Sequence, residues 1–287
     1  MSAHEHHLGH AHAPLSERQA IEAAVYDARV RAALAETTDA DLMVDAATPP
    51  YPNREHVDFL SFALSRIGTL EGARVLEVGC GTGALAVHLA LRGAIVDGID
   101  VSVENAALAN RRAAANGVAD RARFRVVPVE SLDDADATYD AVIGNQVLHH
   151  FELADALRNI RRLLRPSGRA LFCEPVLLLP SVLRRLRDTR PVKRVLPKRV
   201  DTPTERSVSR EDVAVIRTVF PNARLYPFQL LARVQNFIEL SDATFARLRR
   251  IDAALLRFVP PARQLCRFVV VEVAAPQQPD VAARPQL

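Results

Sequence analysis

The sequence predicts an α/β fold with a doubly wound parallel sheet, and three observations carry this prediction. A short apolar run over residues 75–78 is followed by Gly79, Gly81 and Gly83 and then by a helical pattern of apolar residues. A second apolar run ends in Asp100, about 20 residues after the first glycine, as in a βαβ unit. Strand patterns then alternate with helix patterns as far as Glu174, and this alternation is typical of parallel sheets with helices on both faces.

The composition is that of an ordinary globular enzyme. The chain has 287 residues, of which 49% are hydrophobic and 25% charged. No apolar run approaches the ~20 residues that would span a bilayer, and the polar N-terminus does not resemble a signal peptide. Cys80, Cys173 and Cys266 are widely spaced in apolar surroundings, which favours buried thiols over a disulfide framework. We therefore expect a cytoplasmic protein without a membrane partner.

The small excess of basic over acidic residues does not indicate a nucleic-acid partner. The formal net charge is +3, but only two of the 37 basic residues, Lys193 and Lys198, are lysines. This arginine bias is typical of a GC-rich coding sequence, and no nucleic-acid-binding motif is present. The oligomeric state stays open.

The first 69 residues precede the sheet. Residues 1–14 form a histidine-rich segment without periodicity, which predicts a disordered tail that binds metal only adventitiously, so no metal site is expected. Residues 16–34 have a helical pattern, and Asn53 can cap a second helix that Gly68 closes. The segment 15–69 either packs on the sheet or forms a lid, with Tyr26 and Tyr51 as candidate pocket walls.

The remaining strands and helices are predicted from apolar periodicity, helix caps and turn residues. Strands are predicted over 94–100, 122–129, 139–145, 169–174, 225–230 and 265–273, and helices over 102–116, 154–164 and 241–258. These elements place the core of the fold at residues 70–175 and a cover at 176–215. Residues 216–274 supply the strands and the helix that complete the core, and residues 275–287 form a second disordered tail.

The glycine turn and Asp100 are the candidate binding site. Glycines permit backbone angles that a Cβ forbids, and they let a ligand approach the main chain. The free N–H groups at the start of the following helix suit a carboxylate or a phosphate. In a βαβ unit an acid at the position of Asp100 can accept both hydroxyls of a ribose.

An ordered set of motifs resembles the class I S-adenosylmethionine-dependent methyltransferases. These motifs are Val-Leu-Glu-Val-Gly-Cys-Gly-Thr-Gly, the acid that ends the next strand, Tyr-Asp-Ala-Val-Ile with Leu-His-His after it, and Leu-Leu-Arg-Pro-Ser-Gly-Arg-Ala. They lie within residues 70–175. The resemblance implies a Rossmann-like, seven-stranded sheet with an antiparallel last strand, N-terminal helices, a helical cover and S-adenosylmethionine as cofactor.

The resemblance also implies roles for individual residues. The turn Gly79–Gly83 would hold the methionine end of the cofactor, with Glu77 orienting its ammonium group and the main chain near Asn145 contacting the same moiety. Asp100 would bind the ribose and Val101 would pack on adenine. Many relatives carry an Asp after the third strand, where this chain has Pro128, so adenine recognition passes to Val129, Glu130 or Ser131.

Methyl transfer requires a group that accepts a proton. Glu174 ends the fifth strand in an apolar setting, which would raise its pKa toward that of a useful base. His149 and His150 are the competitors. We expect Glu174 to be the base and His150 to be the alternative.

The arginine-rich segment after Glu174 suggests the substrate. Its arginines are either a solvated surface or a cradle for an anionic group, with Tyr51, Arg184, Arg185, Arg199 and Arg206 as substrate contacts. This cradle, an apolar pocket and Glu174 as a base are together similar to terpenoid-diphosphate C-methyltransferases. The resemblance implies C-methylation of an isoprenoid (prenyl) diphosphate in terpenoid secondary metabolism, with Mg²⁺ as a natural accessory. O- or N-methylation of a phenolic, quinone-type or carboxylic small molecule is the alternative. A nicotinamide-dependent oxidoreductase and a cofactor-binding protein without catalysis are the alternatives of other classes.

Overall fold

The computed structural model describes residues 15–34, 36–51, 53–178 and 206–275. The helices of this part are α1 (Glu17–Leu34), α2 (Val57–Ile67), α3 (Ala84–Leu91), α4 (Val103–Ala115), α5 (Leu153–Leu163), α6 (Arg210–Val219) and α7 (Asp242–Phe258). The strands are β1 (Arg74–Val78), β2 (Ile95–Asp100), β3 (Ala122–Val126), β4 (Tyr139–Asn145), β5 (Leu164–Pro175), β6 (Arg224–Phe228) and β7 (Phe268–Ala274).

The strands form a seven-stranded sheet in the order β3-β2-β1-β4-β5-β7-β6. Strands β1 to β5 run parallel to one another, whereas β7 is antiparallel to both of its neighbours, β5 and β6. The predicted fold class, including the antiparallel last strand, is therefore confirmed. Because Val78 of β1 is in register with Ile99 and Gly144, β1, β2 and β4 end at one edge of the sheet.

The two faces of the sheet are buried by different helices. Val75 of β1 belongs to a core shared with α2, α3 and α4, while Leu76 belongs to a core shared with α5, α6 and α7. Side chains of a strand alternate between the faces, so an apolar run such as residues 75–78 supplies both cores.

Helix α1 is attached to this core mainly by polar contacts. Asp27 accepts hydrogen bonds from Ser102 Oγ (2.5 Å) and Glu104 N (3.1 Å) at the start of α4. Gln19 donates to Glu130 (3.2 Å) in the loop after β3. Helix α2, in contrast, packs in the core beside β5 and β7.

Two elements differ from the sequence-based expectation. Strand β3 ends at Val126 instead of Val129, because Pro128 has no N–H to continue the ladder, and Val129–Ser131 form a short 3-10 helix. Helix α6 was not predicted, although Ser209 and Asp212 form a capping box at its start.

Several sequence-based expectations lie outside the described residues. These are the two terminal tails and the substrate arginines Arg184, Arg185 and Arg199. Within the described part, all three cysteines are buried and free, as predicted. No helix there has the length and apolar character needed to cross a bilayer. No cluster of three or more His, Cys, Asp or Glu side chains in the same part could hold a metal ion.

We expect Gly83→Ala to destabilise the fold more than Gly117→Ala. Both glycines have positive φ (+77° and +68°), so both substitutions carry the same kind of backbone strain. A Cβ at Gly83 would lie 2.7 Å from Ala109 Cβ and 2.9 Å from Phe124 Cζ, whereas a Cβ at Gly117 meets nothing within 4 Å. Overpacking of this kind costs about 1–3 kcal/mol beyond the strain. Denaturant unfolding of the two variants measures the difference, and equal losses would contradict the role of Gly83 in packing.

Candidate functional site

A cavity of about 330 Å³ lies at the edge of the sheet where β1, β2 and β4 end. Helix α1 closes it with Gln19, Glu22 and Tyr26. Its volume falls at the lower end of the range of small-molecule sites, and its position at the carboxyl ends of parallel strands is where such sheets bind ligands.

The glycine turn contributes its first two glycines to this cavity. Gly79 and Gly81 line it, and a Cβ at Gly81 (φ +50°) would meet nothing within 4 Å on the protein side. Gly83 does not line the cavity, because its Cα faces Ala109 and Phe124 in the core. The expectation that Gly83 contacts the cofactor is therefore not met by its placement.

Asp100 lines the cavity with its carboxylate held by the protein. Its oxygens accept hydrogen bonds from Gly81 N (2.8 Å), Ser102 N (2.9 Å) and Asn105 Nδ2 (3.3 Å). The side chain is 9% exposed, and burial raises the pKa of Asp100. Asp100 thus fixes the glycine turn as well as facing the cavity. Sequence analysis did not find Asn105, which also lines the cavity.

The segment after β3 forms an apolar wall. Val101, Pro128 and Val129 line this part of the cavity. Glu130 lies beside them and accepts hydrogen bonds from Gln19 Nε2 (3.2 Å) and Glu152 N (2.8 Å). Burial raises the pKa of Glu130.

Two buried oxygens near the ends of β1 and β4 have no hydrogen-bond partner among the described residues. These are Glu77 Oε2, whose residue does not line the cavity, and Asn145 Oδ1, whose residue does. Burial, with a smaller contribution from the charge on Asp100, raises the pKa of Glu77 to about 8. Two unpartnered buried acceptors fit a ligand that carries a strong N–H donor such as an ammonium group.

His150 faces the cavity and is hydrogen-bonded to the carboxylate of Glu22. Its Nδ1 lies 2.7 Å from Glu22 Oε1, and its ring packs edge-on against Tyr26. Because the carboxylate accepts from Nδ1–H, the neutral ring presents the lone pair of Nε2, which has no hydrogen-bond partner in the described part of the chain. Sequence analysis identified His150 but not Glu22, since nothing in the pattern of α1 distinguishes that glutamate.

Glu174 is not at the cavity. Its side chain is fully buried, and it accepts hydrogen bonds from Val147 N (2.7 Å), Leu148 N (2.9 Å) and His149 Nδ1 (3.1 Å). Both oxygens of this carboxylate are therefore occupied by groups of the turn that carries His150, and the role of Glu174 as the base stays a prediction.

The expected substrate contacts are also placed elsewhere. The hydroxyl of Tyr51 bonds to Ser61, and Tyr51 does not line the cavity. Arg206 pairs with Asp212 (2.9 Å) at the start of α6. No arginine or lysine of the described ranges lines the cavity.

The raised pKa of Glu77 makes the stability of the protein depend on pH. Between its usual pKa near 4.5 and about 8 the folded state keeps a proton that the unfolded state releases, so stability falls as pH rises through this window. Glu77→Gln removes this contribution. We expect the free energy of unfolding of the variant to rise, relative to that of the wild type, by about 1 kcal/mol for each pH unit between 5 and 8.

Urea unfolding across this pH range measures the effect. Glu71→Gln is the matched control, because it also replaces a glutamate by glutamine but does so at an exposed side chain. Parallel profiles of the wild type and Glu77→Gln would contradict the assignment.

The central part of the chain matches a known family. A family model described as a methyltransferase domain matches residues 75–168. A ubiquinone biosynthesis O-methyltransferase from Alkalilimnicola ehrlichii is 40% identical over 115 residues, which cover 39% of this chain and 46% of the relative. A protein of the same description from Methylocella silvestris is 40% identical over 100 residues, or 34% of this chain and 38% of the relative. The matches thus span less than half the length of these curated relatives.

Two solved structures are similar over most of the chain. A geranyl diphosphate C-methyltransferase from Streptomyces coelicolor A3(2) has a TM-score of 0.58 at 18% identity, covering 91% of this chain and 99% of its own. The [4+2]-cyclase SpnF has a TM-score of 0.57 at 20% identity, covering 93% and 100%. Similarity at these identities shows the fold alone, and proteins described by different activities share it. Residues 75–168 are thus similar to a methyltransferase domain, and they lie in a fold that these two solved structures share.

Proposed function

We propose that the protein transfers the methyl group of S-adenosylmethionine to a hydroxyl oxygen of a small organic acceptor. The observation that carries this proposal is the pair Glu22–His150, which presents an available ring nitrogen to the cavity. The methyltransferase-domain match favours this cofactor over nicotinamide, which the glycine turn alone would also fit.

The residues of the cavity fit the cofactor. S-adenosylmethionine supplies a methyl group on a positively charged sulfur, and it also carries an ammonium group. The carboxylates Asp100, Glu22 and Glu130 line the cavity, whereas Arg18, which pairs with Glu22 (3.5 Å), does not line it. Asp100 would hold the ribose, Glu77 and Asn145 would accept from the ammonium group, and Val101 and Val129 would contact adenine.

His150 is placed to accept the proton of the acceptor hydroxyl. Bound S-adenosylmethionine would supply the methyl carbon to the hydroxyl oxygen, and the electron pair of the broken carbon–sulfur bond would stay on sulfur. The hydroxyl proton passes to Nε2 of His150, and Glu22 stabilises the imidazolium through Nδ1–H. Glu174 acts through the turn it holds, so it is a positioning residue.

Methylation of a carbon of a prenyl diphosphate is the alternative suggested by the arginine-rich segment. A diphosphate needs cations, and Arg206, the one substrate arginine within the described ranges, is paired with Asp212. The solved geranyl diphosphate C-methyltransferase, which was crystallised with Mg²⁺, is 18% identical to this chain, so it supports the fold and not the substrate. The described cavity favours a neutral acceptor.

Labelled S-adenosylmethionine distinguishes these reactions. We expect label on 4-octylphenol or 4-octylcatechol, because each joins a hydroxyl to an apolar body. Octylamine, octanoate and prenyl diphosphates of several lengths, the last with and without Mg²⁺, form the comparison panel. Label on the diphosphates alone would show that the acceptor is a carbon and would overturn the proposal.

Substitutions in the pair Glu22–His150 test the role of His150. We expect His150→Gln to lower kcat about 10²–10⁴-fold, the usual contribution of a general base, while the dissociation constant of S-adenosylhomocysteine changes little. Glu22→Gln should lower kcat less and shift the pH profile of kcat, since it removes the charge that stabilises the imidazolium.

Glu104→Gln is the matched control. Glu104 also contacts α1, through Arg31 (2.9 Å), but it lies outside the cavity lining. If Glu104→Gln reduced kcat as much as Glu22→Gln, the effect would arise from docking of α1 and the proposed role of Glu22 would be wrong.

A further inference from the structure

Gln146 occupies an unusual position directly after β4. Its φ is +58°, a backbone conformation that side-chain-bearing residues rarely adopt, and its N–H donates to Cys173 O (2.8 Å). Backbone of this kind persists where the surrounding structure enforces it, and it is concentrated at functional sites. The side chain of Gln146 lines the cavity.

A chain of hydrogen bonds fixes which end of the Gln146 amide faces the cavity. The first link is Asn53, whose Oδ1 accepts from the backbone N–H of Glu55 (3.1 Å) and is therefore the oxygen of that amide. The same Oδ1 lies 2.5 Å from His56 Nδ1, so Nδ1 carries the proton.

The tautomer of His56 then fixes Gln146. With the proton on Nδ1, Nε2 of His56 is an acceptor, and Gln146 Nε2 must donate to it across 2.8 Å. Burial, with a smaller contribution from Arg267, lowers the pKa of His56 to about 4, so the ring stays neutral at physiological pH.

The amide oxygen of Gln146 is left for a ligand. Oε1 has no hydrogen-bond partner among the described residues, and it is not among their buried unpartnered atoms. The same cavity contains Nε2 of His150, the second available acceptor. A wall that offers two acceptors fits a ligand that carries two donors.

We propose that Gln146, held by His56, selects acceptor substrates that carry a second hydroxyl beside the one that is methylated. This inference rests on the proposed function, because His150 takes one hydroxyl proton while Gln146 Oε1 accepts from the other. An analogue with one hydroxyl lacks the hydrogen bond to the amide oxygen and binds more weakly.

Binding without turnover tests the proposal. Calorimetry on protein saturated with S-adenosylhomocysteine compares 4-octylcatechol, 4-octylphenol and 2-methoxy-4-octylphenol. We expect the catechol to bind the wild type about tenfold more tightly than the phenol, which corresponds to one hydrogen bond. Gln146→Met has a similar shape without a hydrogen-bonding amide, and it should reduce this preference to about twofold or less.

Gln229→Met is the matched control. Gln229 also has positive φ (+57°), and its Nε2 donates to Glu55 O (2.5 Å), but it does not line the cavity. It should keep the preference for the catechol. A wild type without the preference, one that binds neither compound, or a Gln146→Met variant that retains the preference would overturn the proposal.

His56→Phe gives a second test that leaves Gln146 in place. The new ring keeps the aromatic packing on Phe59 and Phe268, whose centroids lie 5.0 and 5.7 Å from that of His56. Without the acceptor on His56, the Gln146 amide is free to turn its NH₂ group into the cavity. Binding of 2-methoxy-4-octylphenol should then improve relative to that of the catechol. An unchanged ratio of the two dissociation constants would contradict the proposal that His56 holds the Gln146 amide.

The labelling experiment separates this inference from the proposed function. Transfer of label to hydroxyls together with equal binding of catechol and phenol would refute the role of Gln146 alone. A catechol preference that depends on Gln146, without transfer of label to any hydroxyl, would refute the proposed reaction alone.

Discussion

The buried carboxylate of Glu174 is the interaction on which the geometry of the cavity depends. Its two oxygens accept from the main chain of Val147 and Leu148 and from His149, so they fix the turn that follows β4. Val147 in turn packs where a Cβ on Gly79 would lie, 2.4 Å from its Cγ1. The carboxylate therefore sets the spacing between the glycine turn and the turn after β4. A carboxylate in this position stabilises through charge-assisted hydrogen bonds that an amide cannot all replace, because its NH₂ group would face N–H donors.

Helix α1 adds the second constraint, and it is a different kind of contact. Its contacts with the cavity run through Gln19 and Glu22, and Arg18 donates to the main-chain oxygen of His149. Helix α1 also packs on α4 through Val30 and Leu34, which meet Leu108, whereas α2 is buried in the core beside the sheet. Since Glu22 is on α1, undocking of this helix would remove the partner of His150. Closure of the cavity and orientation of the base are thus coupled in one element.

Local patterns predicted the fold well, because each element is specified by neighbours in sequence. The glycine turn, the position of Asp100 and the alternating strands could be predicted for this reason. The capping box of Ser209 and Asp212 is also visible in the sequence, but the helix that it starts was not predicted. The role of Glu174 was not readable. Its position at a strand end is evident from sequence, but whether a carboxylate there faces a cavity or backbone N–H groups depends on the path of another turn. The same limit applies to His56 and Gln146, which meet across 90 residues without any periodic relation.

The charges around the cavity limit what can occupy it together with the cofactor. Asp100 and Glu130 are each held by N–H donors of the protein, yet burial still raises the pKa of both, so desolvation outweighs these hydrogen bonds. A bound cation offsets that cost, which makes a positively charged cofactor the natural complement of the described wall. A diphosphate entering the same space would add negative charge beside these acids and would need cations from outside the described lining. A neutral acceptor that donates hydrogen bonds adds no such cost, and Gln146 and His150 offer acceptors to match it.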